Sequence, residues 1–195
     1  MPDPVLHLIA GPNGAGKSTL YERVIGPATH LEFVNADLIA EQCWPDDPAS
    51  KAYEAAALAD ERRAELIEAR ASFVTETIFS HESKLALIDS AADGGYLVTL
   101  HIVLVSEELA VARVGNRVSS GGHDVPVDKI RARYTRLWPL LATAISKVDA
   151  VTVYDNSRAD APFRVAATFE HGSLVGTSAL PPWTPEPLRG LDAYE

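Results

Sequence analysis

Eight consecutive residues, Gly11-Pro12-Asn13-Gly14-Ala15-Gly16-Lys17-Ser18, match the pattern G-x-x-x-x-G-K-[ST]. The glycines let backbone N–H groups turn inward around a phosphate, and a helix starting at Lys17 would add its positive dipole end. Lys17 would reach the β- and γ-phosphates, and the Ser18 hydroxyl would ligate Mg²⁺. The apolar run Val5–Ala10 precedes the motif and a helix-like run through Ile25 follows, which is the strand–loop–helix setting such a loop requires. Gly11, Asn13, Gly14, Ala15, Gly16, Lys17, Ser18 and Thr19 are therefore the expected contacts of a nucleoside triphosphate.

Such a loop leaves the second substrate open. Ligands of open α/β sheets sit at the carboxyl ends of the strands, which makes the acids following each strand candidates. Asp37 follows the second strand in Val34-Asn35-Ala36-Asp37, and Glu76 follows the third in Val74-Thr75-Glu76-Thr77. Asp37 could accept the proton of an attacking hydroxyl. It could equally cap a short helix over Leu38–Gln42, and the two roles are compatible. Glu76 could bind a substrate hydroxyl or hold Mg²⁺ through water, against the plainer role of a solvated strand end. No apolar strand ends in the Asp-Glu pair of many hydrolysing P-loop ATPases, which weighs against a motor or an AAA-type machine.

Phosphoryl transfer also asks for cations around the equatorial oxygens. Between Arg113 and Arg136 lie six basic residues and two acids, a basic stretch in a chain of net charge −10. Arg113 and Arg117, four apart, share a helix face. In the following helix, Arg131 and Arg133 flank an apolar stripe of Val127, Ile130, Tyr134, Leu137, Trp138, Leu141 and Ile145, while Arg136 points away. Gly121-Gly122-His123-Asp124-Val125-Pro126 joins the two helices and permits hinge motion. Residues 113–136 thus read as a helical lid that would fold over bound ATP and exclude water. His7 reads as a core or edge residue of the first strand, Cys43 and Trp44 as packing, and the charges of Asp60–Arg70 as a solvated helix face.

These residues need a scaffold, and the pattern supplies one. Strand-like runs at 5–10, 31–34, 73–75, 96–105 and 150–154 alternate with helix-like runs at 17–25, 49–71, 82–92, 107–119 and 127–148. That alternation predicts an α/β fold, a parallel sheet of about five strands flanked by helices. A hairpin over 164–170 and 173–175 follows, and 179–190, with four prolines in twelve residues, predicts an extended tail. We expect one domain over 1–178 and a Pro-rich tail over 179–195. At 195 residues, 47% hydrophobic and 23% charged, the chain fits a globular domain. Its acidity argues against a general nucleic-acid binder. A single cysteine, no apolar run of membrane-spanning length, and a start that runs directly into a strand predict a soluble cytoplasmic protein.

Taken together, GPNGAGKST over Gly11–Thr19, the Asn35-Ala36-Asp37 triplet, TETIFSHESK around Glu76-Thr77, the RVGNRVSSGGHDVPVDKIRARY segment of Arg113–Tyr134 and Asp155-Asn156-Ser157 resemble the zeta-toxin family of P-loop kinases, in its compact chromosomal form. The resemblance spans about Val5 to Ser157. It implies a fold like that of nucleotide and chloramphenicol kinases, and ATP-dependent phosphorylation of the 3′-hydroxyl of the sugar in UDP-N-acetylglucosamine. It further implies that Lys17 and Ser18 hold ATP·Mg²⁺, that Asp37 is the base, and that Glu76 and Thr77 contact substrate. Arg117 with Arg131 or Arg133 would clamp the phosphates, with Arg113 also near the nucleotide. A separate antitoxin chain is a possible partner; nucleic acid and membrane are not expected. The alternatives are a kinase of another small metabolite or antibiotic, and a nucleotide-dependent binding or switch protein.

Overall fold

The computed structural model describes residues 2–119 and 125–193, without the side chains of 117–119 and 192–193. The hydrophobic run Val5–Ala10 forms β1, and Leu6, Leu8, Ile9 and Ala10 are all fully buried. Burial on both faces is the signature of a central parallel strand, and β1 has neighbours on either side. It pairs in parallel with β3 (Phe73–Thr77) and with β4 (Leu97–Leu104). Outside β3 lies the short β2 (Glu32–Val34), and outside β4 lies β5 (Ala150–Asp155), both parallel to their neighbours. The expected hairpin, β6 (Arg164–Glu170) and β7 (Ser173–Leu174), continues the sheet antiparallel, giving seven strands in the order β2-β3-β1-β4-β5-β6-β7.

The chain leaves β1 toward β2 on one side and later crosses to β4 on the other. This reversal opens a crevice beyond the carboxyl ends of β1 and its neighbours. Right-handed crossovers then place the helices that follow β1 on one face and those that follow β2, β3 and β4 on the other.

The first helical run is less regular than its sequence predicts. α1 (Lys17–Leu20) passes through a π turn at Tyr21–Ile25 into α2 (Gly26–Thr29). Gly26 N–H donates to Tyr21 O, a bond one residue wider than an α-turn, next to Pro27, which has no N–H to offer. α3 (Ala36–Cys43) and α4 (Ala52–Glu68) follow β2, α5 (Ser83–Asp93) follows β3, and α6 (Glu107–Ser119) and α7 (Val127–Ile145) connect β4 to β5. The α7 stripe is buried as its spacing predicts from Ile130 to Ile145, but Val127 at its start stays exposed. The Pro-rich segment does not run extended throughout. It forms α8 (Glu186–Arg189) and a 3₁₀ turn at Gly190–Ala193, because Leu188 finds an apolar seat in the core beside α7, where it is 2% exposed. No helix among the described residues is long and apolar enough to cross a membrane.

Candidate active site

The phosphate loop leaves the end of β1 in a conformation that only glycine adopts without strain. Gly14 has φ 71° and Gly16 φ 92°, both left-handed. A Cβ on Gly16 would stand 2.6 Å from Asn156 Nδ2, so the position excludes side chains twice over. Asn156, just past β5, donates from Nδ2 to Ala15 O at 2.8 Å, and its own carbonyl accepts from Arg113 Nη2 at 2.9 Å. Arg113 also reaches Gly14 O at 3.5 Å, which sets its guanidinium over the loop.

Lys17 is buried, and its Nζ donates to Pro12 O at 3.1 Å and lies 3.8 Å from Glu76 Oε1. Glu76 is held by two further donors, Ser18 Oγ at 2.8 Å and Asn35 Nδ2 at 3.0 Å. It extends from the strand itself, because β3 runs two residues beyond its expected end. Asn35 has a second function. Its Oδ1 accepts from the amides of Asp37 at 2.8 Å and Leu38 at 3.3 Å, so Asn35, and not Asp37, caps α3. The helix starts two residues earlier than its spacing predicts, and Asp37 becomes an exposed residue of its first turn.

These groups meet in a cavity of about 630 Å³. Asn13, Gly14, Gly16, Lys17, Ser18 and Thr19 form its phosphate-loop side; Asp37, Glu76 and Thr77 line it from α3 and β3; Arg113 and Arg133 line it from α6 and α7. Thr77 Oγ1 accepts from the amide of Phe79, whose φ of 62° turns the chain sharply along the cavity wall. Arg131 lies elsewhere. Its Nη1 binds Glu107 Oε1 at 2.6 Å on an exposed surface, the opposite flank of α7 from Arg133. Arg136 is exposed, as its position on the helix predicts. The side chain of Arg117 and the residues Gly121, Gly122, His123 and Asp124 lie outside the described set. A second cavity of about 290 Å³ continues from Gly14, Gly16 and Thr19, bounded by Arg23, Arg113, Asn156, Arg158 and Phe163.

The sequence assigns no site role to Asn156 or Arg63, which line these two cavities. Asn156 had a readable signal, its place directly after a parallel strand. Arg63 sits within the charged run of α4 and differs in nothing local from Arg62, yet it is turned inward and buried.

Residues 6–137 match the sequence profile of a family described as an AAA domain. The chain belongs to this family. The family's name is that of a class which the missing Asp-Glu pair weighed against; what the match covers is the phosphate loop, β1 to β4, α6 and α7 as far as Leu137. An uncharacterized protein of Haemophilus influenzae is 30% identical over 125 residues, 64% of this chain and 88% of that protein. Among solved structures, the AvrRxo1-ORF1:AvrRxo1-ORF2 complex with sulphate ions is similar with a TM-score of 0.68 and 18% identity over 89% of this chain, which spans 60% of the AvrRxo1 chain's length. The same complex has been solved with ATP. The PezAT chromosomal toxin–antitoxin system of Streptococcus pneumoniae is similar at 0.63 and 14% identity, covering 86% of this chain and 72% of that one. A putative kinase from Chloroflexus aurantiacus is similar at 0.55 and 16% identity, over 69% and 79% of the two chains. The fold is the one these structures share, a mostly parallel sheet flanked by helices with a phosphate loop after β1.

Proposed function

We propose that the chain is an ATP-dependent phosphotransferase of the zeta-toxin type that phosphorylates a sugar-nucleotide hydroxyl, with UDP-N-acetylglucosamine the acceptor its sequence resemblance implies. The observation that carries this reading is the shared cavity. Asp37, a carboxylate not taken up in capping α3, and the phosphate loop line one space of about 630 Å³, with Arg113 and Arg133 beside them.

The triphosphate would lie along the loop amides with Lys17 at its β- and γ-phosphates, and the nucleoside would extend into the second cavity past Arg113 and Phe163. The donor set suits magnesium. Ser18 Oγ and Glu76 are hard oxygen ligands, and no group of three or more acidic, His or Cys side chains among the described residues forms a cage that would hold a metal without phosphates. Held by Ser18 and Glu76, magnesium would supply charge neutralisation on the phosphates. Asp37 accepts the proton of the acceptor hydroxyl as its oxygen bonds to the γ-phosphorus; the bond to the β-bridging oxygen breaks, and ADP leaves with that electron pair. Arg113 and Arg133 offset the charge on the transferring group. Of the candidate clamp residues Arg131 and Arg133, the cavity favours Arg133. A separate antitoxin chain would be the protein partner, as the PezAT system has by its name.

Incubation with ATP·Mg²⁺ and UDP-N-acetylglucosamine, followed by mass spectrometry against a Lys17→Ala control, tests the proposal. The expected product is one phosphoryl group heavier and absent from the control. Untouched sugar nucleotide with ATP bound removes this acceptor and directs the search to other small metabolites.

A further inference from the structure

Among the described residues two cations are buried, Lys17 and Arg63. The phosphate loop accounts for the first. Arg63 is 5% exposed, while its neighbour Arg62 is solvated and pairs with Glu32 and Glu65. Arg63 Nη1 donates to Thr75 Oγ1 at 3.1 Å, and that hydroxyl in turn donates to Val34 O at 2.8 Å, so the guanidinium is aligned by two strands. Its Nη2 binds Asp60, and its Nε has no partner among the described residues.

Asp60 is a poor counter-ion for a buried arginine. It is largely exposed, and it is shared with Lys84 Nζ at 3.3 Å. Burial pushes its carboxyl up, but Arg63 and Lys84 together hold it below the ordinary range. Two cations therefore share one carboxylate. Taking charge out of water without full pairing is unfavourable, and the cluster has room for one more anion.

The cluster faces a ligand site. Arg63 and Lys84 line the same cavity as Lys17 and Asp37, from α4 and α5. Lys17, Arg63, Lys84, Arg113 and Arg133 set five basic side chains against two carboxylates, Asp37 and Glu76, on its described lining. A triphosphate at the loop engages Lys17 and Arg113, leaving the α4–α5 pair with Asp60 as its single counter-ion.

We propose that Arg63 and Lys84 bind an anionic group of the acceptor, a phosphate or carboxylate, and so select charged over neutral acceptors. This rests on the kinase reading for its acceptor, but not for the anion site itself. Arginine suits the task because its fixed fork binds such oxygens at two points.

The test uses the full chain saturated with a non-hydrolysable ATP analogue and Mg²⁺, so that the loop is filled, and titrates sulfate by calorimetry. One sulfate site is expected, weakened about tenfold or more in Lys84→Gln and in Arg63→Gln. Lys84 is the safer variant, since Arg63 is packed; the control is Lys51→Gln, whose side chain pairs with Glu54 on the surface. No sulfate site, or equal affinity in Lys84→Gln and wild type, overturns the proposal. Kinetics with N-acetylglucosamine 1-phosphate, glucuronic acid and neutral N-acetylglucosamine then separates phosphate from carboxylate. A Lys84→Gln variant should raise KM for the charged acceptor and leave KM for ATP unchanged. Sulfate binding lost in the variants, with no phosphoryl transfer to any acceptor, keeps the anion site and removes the kinase. Transfer to neutral and charged acceptors alike keeps the kinase and removes selection by Arg63 and Lys84.

Discussion

Lowering the pH should destabilise this protein well before its carboxylates protonate, and the cause lies in the sheet. His7 Nδ1 on β1 and His101 Nε2 on β4 stand 3.1 Å apart, and Tyr154 OH lies 3.5 Å from His101 Nδ1. One proton occupies the bond between the rings, and a second would set two N–H groups against each other. Burial, with a smaller contribution from His7, lowers His101 from 6.5 to about 3; burial lowers His7 as well. The unfolded chain then binds a proton that the folded chain refuses. Stability is full above pH 6.5 and falls as pH drops below it, continuing until the folded-state value is reached. At pH 4.5 the loss from His101 is about 3 kcal/mol, at 1.36 kcal/mol per pH unit, or roughly 6–12 °C in melting temperature for a chain of this size. Thermal melts at half-unit steps from pH 7.5 to 4.5 would measure it, with His101→Leu expected to flatten the slope. A melting temperature constant from 6.5 to 4.5, or an NMR titration of His101 centred near 6.5, would refute the reasoning.

Asp37→Asn should lower kcat by about 10²–10⁴-fold, the usual contribution of a positioned base, while ATP affinity measured by calorimetry stays unchanged; normal turnover would remove the base. Gly16→Ala should abolish ATP binding and destabilise the fold by about 1–3 kcal/mol in denaturant titration, since its φ of 92° and the 2.6 Å approach to Asn156 both oppose a side chain. Arg133→Ala should reduce kcat by about tenfold or more, on the scale of a lost charged contact to the transferring group. Arg131→Ala, whose side chain pairs with Glu107 at the surface, should change it little; the reverse ranking in steady-state assays would reassign the clamp.

How far the sequence alone reaches can be read from particular residues. The phosphate loop is contiguous, and its geometry is imposed by glycine backbones within eight positions, so Gly11 to Ser18 declare themselves without any knowledge of neighbours. The alternation of apolar strands with helical runs likewise requires a parallel sheet, and the apolar stripe of α7 is a local periodicity that burial follows. Asp37 and Glu76 could be named because strand ends lead to ligand sites in such sheets.

What tertiary structure decided are the matters of pairing across distance. Asn35 displaces Asp37 as the cap because β3 brings Glu76 to Asn35 Nδ2, orienting its amide so that Oδ1 faces the helix. Arg133 turns to the cavity and Arg131 to Glu107 only because α7 packs beside α6 on one particular face. Arg62 and Arg63 are chemically identical neighbours, one solvated and one buried, since α4 rotates only the second toward Thr75. A hydrophobic period records which face of a helix is apolar. The fate of each charge beside that face depends on partners tens of residues away, and those exist only once the sheet has assembled.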